Sequence, residues 1–361
     1  MTTTAAGLGI DLFSRVLGAD EDEPPDKLVR TARSQSWALP ALLLSAYARD
    51  GRPLGSGSAD ELRRAKNRKQ NYAALAAALA GTSARIVKGP SLARHYPEPL
   101  VRPVGDLDVV VPDEAELWRV VRTVLDNAPV ETIDVSVFGY PEAHLLVQLE
   151  WPGEDPMLDV ENAVEVCTAG FTGAQGPVRV RAELPAQPVV TDLLALAEER
   201  FQRGFKAKDV IDIAVLGQVA FSPADVVAAA ERWQLAPELL ELLDLAGDLV
   251  DLGLLGQTRQ PLRAAAEREL DRRENWSAPT IPPGADAMTT ALVEGRSVGG
   301  LLLRETRRDT DPETTRLRRF GTSALLATPV GDYLLVDHPV VTPEQHADAL
   351  AALAAMDGED R

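Results

Sequence analysis

The chain predicts an α+β fold, a small mixed β-sheet flanked by helices, with a helical N-terminal segment and a mostly helical C-terminal region. Three observations lead there. Short β-branched runs separated by turn residues cluster between residues 84 and 184. Segments with helical spacing of apolar side chains lie on both sides of that cluster. Leu, Ala and Val dominate while aromatics are only 5% of 361 residues, which suits an aliphatic, largely helical core.

The elements follow in order. Residues 1–24 are small, polar and acidic, and read as a flexible arm that stops at Pro24-Pro25. Asp26 to Asp50 is helical, with Leu28, Ala32, Trp37, Leu42 and Leu43 as its apolar members. Ser58 and Glu61 form a capping box that opens a long helix, ended by Gly81. Ala84–Lys88 is a short strand, Gly89–His95 a helical turn, and Asp106–Val111 a strand whose valine run suits a buried position. Pro112-Asp113 opens a helix to about residue 126. Residues 130–139, 143–151, 157–166 and 177–184 are expected as strands, then helices at 191–203, 206–219, 222–233, 236–254 and 260–274. The run from Arg304 to Arg319 is expected as a charged surface loop, a hairpin spans 324–337, and Thr342 caps a last helix. The chain divides into the arm 1–24, a domain 25–220, and a C-terminal region 221–361.

Composition narrows the chemistry. Cys167 is alone, so neither an intrachain disulfide nor a cysteine-based zinc cluster is possible, and it reads as a buried hydrophobe in a reducing cytosol. Met1–Ile10 has no basic residue ahead of its short apolar run, and no run approaches a membrane span, so a cytoplasmic protein is expected. The net charge of −18 repels nucleic acid at long range and favours a small molecule or a basic protein as partner.

The stretch Arg102-Pro-Val-Gly-Asp106-Leu-Asp108-Val-Val-Val111 carries the most information. Residues two apart on a strand share a face, so Asp106 and Asp108 project together. Two adjacent carboxylates repel unless a cation lies between them, and their hard oxygens suit magnesium or manganese. Solvated acids at a strand edge are the plainer alternative. Lys88-Gly89 stands at a strand-to-helix turn upstream, where a lysine, free amides and Ser91 could grip a triphosphate.

Lys88-Gly89, His95-Tyr96-Pro97, Arg102 and Gly105-Asp106-Leu107-Asp108-Val109-Val110 resemble, in order and spacing, the uncharacterised nucleotidyltransferase family of the polymerase-β-like superfamily. The resemblance spans residues 71–218, about two-fifths of the chain. It implies a third carboxylate on a later strand: Asp159 in Leu158-Asp159-Val160-Glu161, with Glu161 where a histidine is usual and Glu150 as the rival. It also implies that Arg102 lies at the nucleotide, and that Lys208 and Asp209 belong to a closing helix lining it. Pro90 at the turn and the missing histidine are departures that leave room for a degenerate copy.

The expected activity is metal-dependent nucleotidyl transfer, with Mg2+ or Mn2+ and a nucleoside triphosphate as co-substrate. The expected acceptor is a hydroxyl or phosphate of a small molecule or peptide, with residues 222–361 giving specificity. The alternatives are a catalytically degenerate nucleotide- or partner-binding module and a toxin-like enzyme acting on tRNA. The acidic balance ranks RNA last.

Overall fold

Among the described residues the β-branched runs pair into one mixed sheet of nine strands, and thirteen α-helices surround it, an α+β architecture. The computed structural model describes residues 8–20, 23–174, 176–306, 315–338 and 340–359. The strands are β1 (Arg85–Val87), β2 (Asp106–Val110), β3 (Thr132–Phe138), β4 (His144–Trp151), β5 (Asn162–Cys167), β6 (Val298–Glu305), β7 (Arg316–Phe320), β8 (Ser323–Ala327) and β9 (Gly331–Val336). Their order is β1-β2-β5-β4-β3-β6-β9-β8-β7. Every neighbouring pair is antiparallel except β2 and β5, which run parallel.

The helices are α1 (Ile10–Leu17), α2 (Pro25–Gln35), α3 (Leu39–Arg49), α4 (Ser56–Ala78), α5 (Gly89–Ala93), α6 (Glu114–Asn127) and α7 (Pro188–Glu198). They continue as α8 (Ala207–Leu216), α9 (Pro223–Arg232), α10 (Ala236–Gly247), α11 (Arg259–Glu274), α12 (Ala287–Val293) and α13 (Pro343–Glu359).

Period-two patterning decides which sheet face is dry. Leu107, Val109, Val147, Leu149, Val164 and Val166 are buried against α4 and α6, through Tyr72, Leu75, Leu117 and Val121. The other face carries Asp106, Asp108, Gln148, Glu150 and Glu165, all partly buried. A separate aliphatic core joins α1–α3 to α7–α11 around Leu43, Leu193, Ile211 and Leu242. No helix among the described residues is long and apolar enough to cross a membrane.

Several expected elements differ. Residues 10–17, read as part of a flexible arm, form α1. Its Leu12, Phe13, Val16 and Leu17 repeat at helical spacing and bury one face. Residues 1–7, 21 and 22 of that arm lie outside the described residues. Helix α4 starts at Ser56 behind Gly55 rather than at Ser58, with no side-chain cap.

The strand expected at 157–166 begins only at Asn162. Before it, Asp155 organises a turn: its side chain accepts from the Met157 amide at 3.0 Å and its carbonyl from the Asp159 amide at 2.8 Å. Residues 177–184 form only isolated bridges, Ala174 with Val178 and Phe171 with Arg181, and prolines at 177 and 185 remove donors at both ends. Of the expected charged loop, residues 307–314 lie outside the described residues, and Arg316–Phe320 is strand β7.

Candidate active site

Strand β2 has a partner on each side, β1 and β5, so its two acids stand inside the sheet and not at its margin. Parallel pairing sets Asp106 beside Ala163 and Asp108 beside Glu165. Neighbouring strands lie about 4.8 Å apart, so Glu165 is the carboxylate placed next to the pair. One strand further, Gln148 faces Glu165 and Glu150 faces Ala163. The Gln148 amide donates to Glu150 at 2.5 Å.

The turn from β1 into α5 brings a cation to this row. Lys88 adopts a left-handed conformation, φ 51°, which is strained for a residue with a side chain and re-aims it at the acids. Gly89 follows because a Cβ there would meet the Asp106 carbonyl oxygen at 2.8 Å. The Lys88 ammonium donates to Glu199 at 2.7 Å. Glu199 also pairs with Arg203 at 3.2 Å, and Arg203 in turn clamps Asp209 with contacts of 2.7 and 3.0 Å.

Electrostatics follow from this crowding. Burial, opposed by Lys88 and reinforced by Asp106, Glu165 and Glu199, pushes the Asp108 carboxyl up to about 8. Burial and Asp106 also raise Glu165, against the pull of Lys88. Burial raises Glu198, although Lys88 and donors from Thr172 and Gly173 oppose it. Burial acts the same way on Glu199 but loses: Lys88, Arg203 and Lys208 hold that carboxyl below the ordinary glutamate range. Lys88 itself would be stripped of its proton by burial, yet Asp108, Glu199 and Glu198 keep it well above the usual lysine range.

The residues expected at the site divide into three groups. Asp106, Asp108, Lys88 and Gly89 come together. Lys208 and Asp209 reach the rim, where Lys208 lies 3.8 Å from Asp209 and 3.9 Å from Asp212, and Asp209 accepts from the Lys206 amide at 2.8 Å.

Asp159, Arg102 and Ser91 are engaged elsewhere. Asp159 sits in the turn before β5, paired with Arg64 at 3.0 Å, because the turn chemistry of Asp155 prevails over strand pairing there. Arg102 is buried and bidentate on Asp212, at 2.7 and 2.9 Å, with Tyr96 donating to the same carboxylate at 2.6 Å. Its guanidinium therefore braces the loop before β2 against α8. The Ser91 hydroxyl is buried and donates to Asp192 at 2.8 Å, tying α5 to α7.

Sequence reasoning missed Glu165, Glu198, Glu199 and Arg203. For Glu165 the sequence shows only an acid between two valines, Val164 and Val166, which marks a strand but not its pairing beside Asp108.

The donor set fits a hard divalent cation. Asp106, Asp108 and Glu165 offer carboxylate oxygens on one face, with Lys88 shared between Asp108 and the Glu199 side. Among the described residues no three acidic, histidine or cysteine side chains close into a ready-made cage. Magnesium does not need one, since it keeps several waters and is bound through one or two carboxylates plus substrate phosphates.

Beyond the acid row, a groove of about 1170 Å3 opens between the far ends of β3 and β4, residues 172–174 and 176–180, and α11. Phe138, Tyr140, Phe201 and Trp276 line it together with Arg179 and Arg272. Gly173 at its wall donates to Glu198, and Phe201 follows Glu199 closely, so the groove adjoins the Lys88–Glu199 pair.

No family model matches the chain, and no curated protein matches it. Two solved Helicobacter pylori structures show similarity. JHP933 is 16% identical with a TM-score of 0.30, over 58% of this chain and 94% of that one. A provisionally named nucleotidyltransferase is 16% identical with a TM-score of 0.29, over 58% and 96%. A likeness this slight assigns no role to any residue.

Proposed function

We propose that this chain is a nucleotidyltransferase that moves a nucleoside monophosphate from its triphosphate to a hydroxyl or phosphate of a small molecule or peptide. The observation that carries the reading is the acid row. Asp106 and Asp108 share one face of an interior strand, Glu165 stands beside them, and Lys88 reaches them from a strand-to-helix turn. Structural proteins seldom bury unpaired carboxylates together, because each raises the cost of ionising the next.

Asp106 and Asp108 would hold magnesium or manganese, with Glu165 as the third carboxylate in place of Asp159. A bound metal ion would supply Lewis-acid activation of the phosphates and the attacking oxygen. Lys88 neutralises charge that grows on the phosphoryl oxygens. Lys208 and Arg203 lie near enough to Glu199 to share that task once a triphosphate competes for Lys88. The aromatic groove accommodates the base. In the transfer, the acceptor oxygen attacks the α-phosphorus, the bond to the bridging oxygen breaks, and pyrophosphate leaves. Glu165, the carboxylate next to Asp108, takes the acceptor proton.

A binding-only module is favoured by one feature: Lys88 is already committed to Glu199 at 2.7 Å. The two readings separate in one experiment. Each nucleoside triphosphate with magnesium is tested for binding by calorimetry and for pyrophosphate release with candidate acceptors, followed by mass spectrometry of the acceptor. Turnover that Asp106→Asn abolishes supports transfer. Binding without pyrophosphate release selects the module.

A further inference from the structure

A second cavity, of about 950 Å3, lies between the N-terminal helices and the turn at 152–161. It is at the opposite end of the acid row from the aromatic groove. Pro103 and Asn162 are among its walls, two residues that flank the N-terminal ends of β2 and β5. The ring of Trp37 lies so close to Gly105 that a Cβ there would meet it at 2.7 Å. Gly105 is the residue before Asp106. The cavity therefore ends at the backbone that presents the first catalytic acid.

Its wall is charged yet electrically settled. Arg33 pairs with Glu61 at 2.6 Å. Arg64 pairs with Asp60 and, at 3.0 Å, with Asp159. Glu154 accepts from Arg63 at 2.5 Å and from Asn67 at 2.9 Å. Arg68 spends its guanidinium on backbone carbonyls, those of Val104 at 3.1 Å, Gly105 at 2.7 Å, Val160 at 2.6 Å and Glu161. An anionic ligand would have to break one of these contacts to gain a donor, whereas a neutral one leaves them intact.

What remains open on the wall is apolar surface and amide. Trp37 is 46% exposed and Leu158 68% exposed, unusual for large apolar side chains at a concave surface. Gln70 and Asn71 line the cavity, and their side-chain amides have no hydrogen-bond partner among the described residues. Aromatic and aliphatic surface with a few free amides is the composition of a small-ligand pocket, and the volume lies in the range for one.

Resting on the transfer reading above, we infer that this cleft is the acceptor site and that it takes an uncharged segment of peptide character with an aromatic or aliphatic side chain. The side chain packs on Trp37 and Leu158, its backbone amides meet Gln70 and Asn71, and its hydroxyl points toward Asp106. The N-terminal helices, rather than residues 222–361, then choose the acceptor.

The test uses the full chain and four capped tripeptides, each holding one Phe and one Ser, alongside the same peptides phosphorylated on Ser. Binding is read by ligand-observed NMR without nucleotide, so it does not depend on turnover. At least one neutral peptide is expected to bind, with affinity reduced at least tenfold by Trp37→Ala and by the cavity-filling Asn71→Trp. Thermal melts of both variants check that each is folded. Phosphorylation is expected to remove the binding. Equal binding of the phosphopeptides, no binding of any neutral peptide, or binding indifferent to both substitutions would overturn the proposal. Adding triphosphate and magnesium then separates the two readings. Peptide binding at Trp37 with no mass shift on serine refutes transfer and leaves the ligand class of the cleft standing.

Discussion

Arg102→Met tests whether the buried guanidinium is a brace or a nucleotide ligand. Arg102 is 5% exposed and Asp212 is fully buried, and two charge-assisted hydrogen bonds join them. Removing one member of a buried pair costs about 3–5 kcal/mol, because the other charge stays desolvated. Here Tyr96 still donates to Asp212 and Lys208 remains 3.9 Å away, which sets the expectation near the lower end, about 3 kcal/mol. The pH dependence has a definite sign. Burial pushes the Asp212 carboxyl up, but Arg102, Lys208 and Tyr96 hold it below its ordinary value. A carboxyl lowered by folding contributes stability above its unfolded pKa and loses it only as pH falls through the folded one, so the native protein keeps this contribution from pH 5 to 8. Without the guanidinium the carboxyl rises, and the folded variant takes up a proton as pH falls. The gap in urea-unfolding free energy should therefore be larger at pH 8 than at pH 5, and Arg102→Met/Asp212→Leu should recover most of it. A gap under about 1 kcal/mol at pH 8, or weaker triphosphate binding at unchanged stability, would refute the brace and return Arg102 to the nucleotide.

Three further outcomes follow. Glu165→Gln should lower kcat at least about 100-fold with the melting temperature kept, while Asp159→Ala should leave kcat nearly unchanged; the reverse order would restore Asp159 as the third carboxylate. Asp192 is buried with one oxygen unpartnered, and burial, opposed by the Ser91 hydroxyl and Arg94, pushes its carboxyl up to about 6. A carboxyl raised by folding loses stability as pH climbs from about 4 to 6, so Asp192→Asn should match the native protein near pH 4 and exceed it at pH 7, by up to about 3 kcal/mol in chemical unfolding. Gly89→Ala should destabilise by about 1–3 kcal/mol, since the added methyl meets the Asp106 carbonyl oxygen at 2.8 Å; a neutral result in a thermal melt would show that the turn yields freely.

What the sequence made legible was local. Asp106 and Asp108 could be paired from sequence because side chains two apart on any strand share a face. Glu165 could not, because its place depends on the register of two parallel strands whose connection holds a helix and two more strands. Asp159 was implied only by the resemblance, as the acid of Leu158-Asp159-Val160-Glu161, yet Asp155 and Pro156 make that segment a turn. Arg102 was placed at the nucleotide by the resemblance, and its buried partner Asp212, 110 positions away, gave no local sign of a brace. Glu198 and Glu199 gave no signal: two acids at the end of a helix read as ordinary solvated charge until tertiary packing folds them over Lys88. The helices were easier, since burial of one face writes its period into the chain. Even α1 carries that period, in Leu12, Phe13, Val16 and Leu17, inside a segment whose acidic end suggested an arm.

The continuity of the sheet has a practical consequence. Strand β3 meets β6 through only two residue pairs, Ser136 with Gly299 and Val137 with Val298, yet that short splice closes its outer flank. A fragment ending near residue 280 would keep the acid row and both cavities' principal walls but leave β3 with a bare row of amides and carbonyls. Valines at 135 and 137 would add an apolar face no longer covered by α12 and β6. Such an uncovered margin recruits strands from other molecules. Such a fragment is therefore a candidate for aggregation, and the last 81 residues move the open edge of the sheet from β3 to the arginine-rich β7.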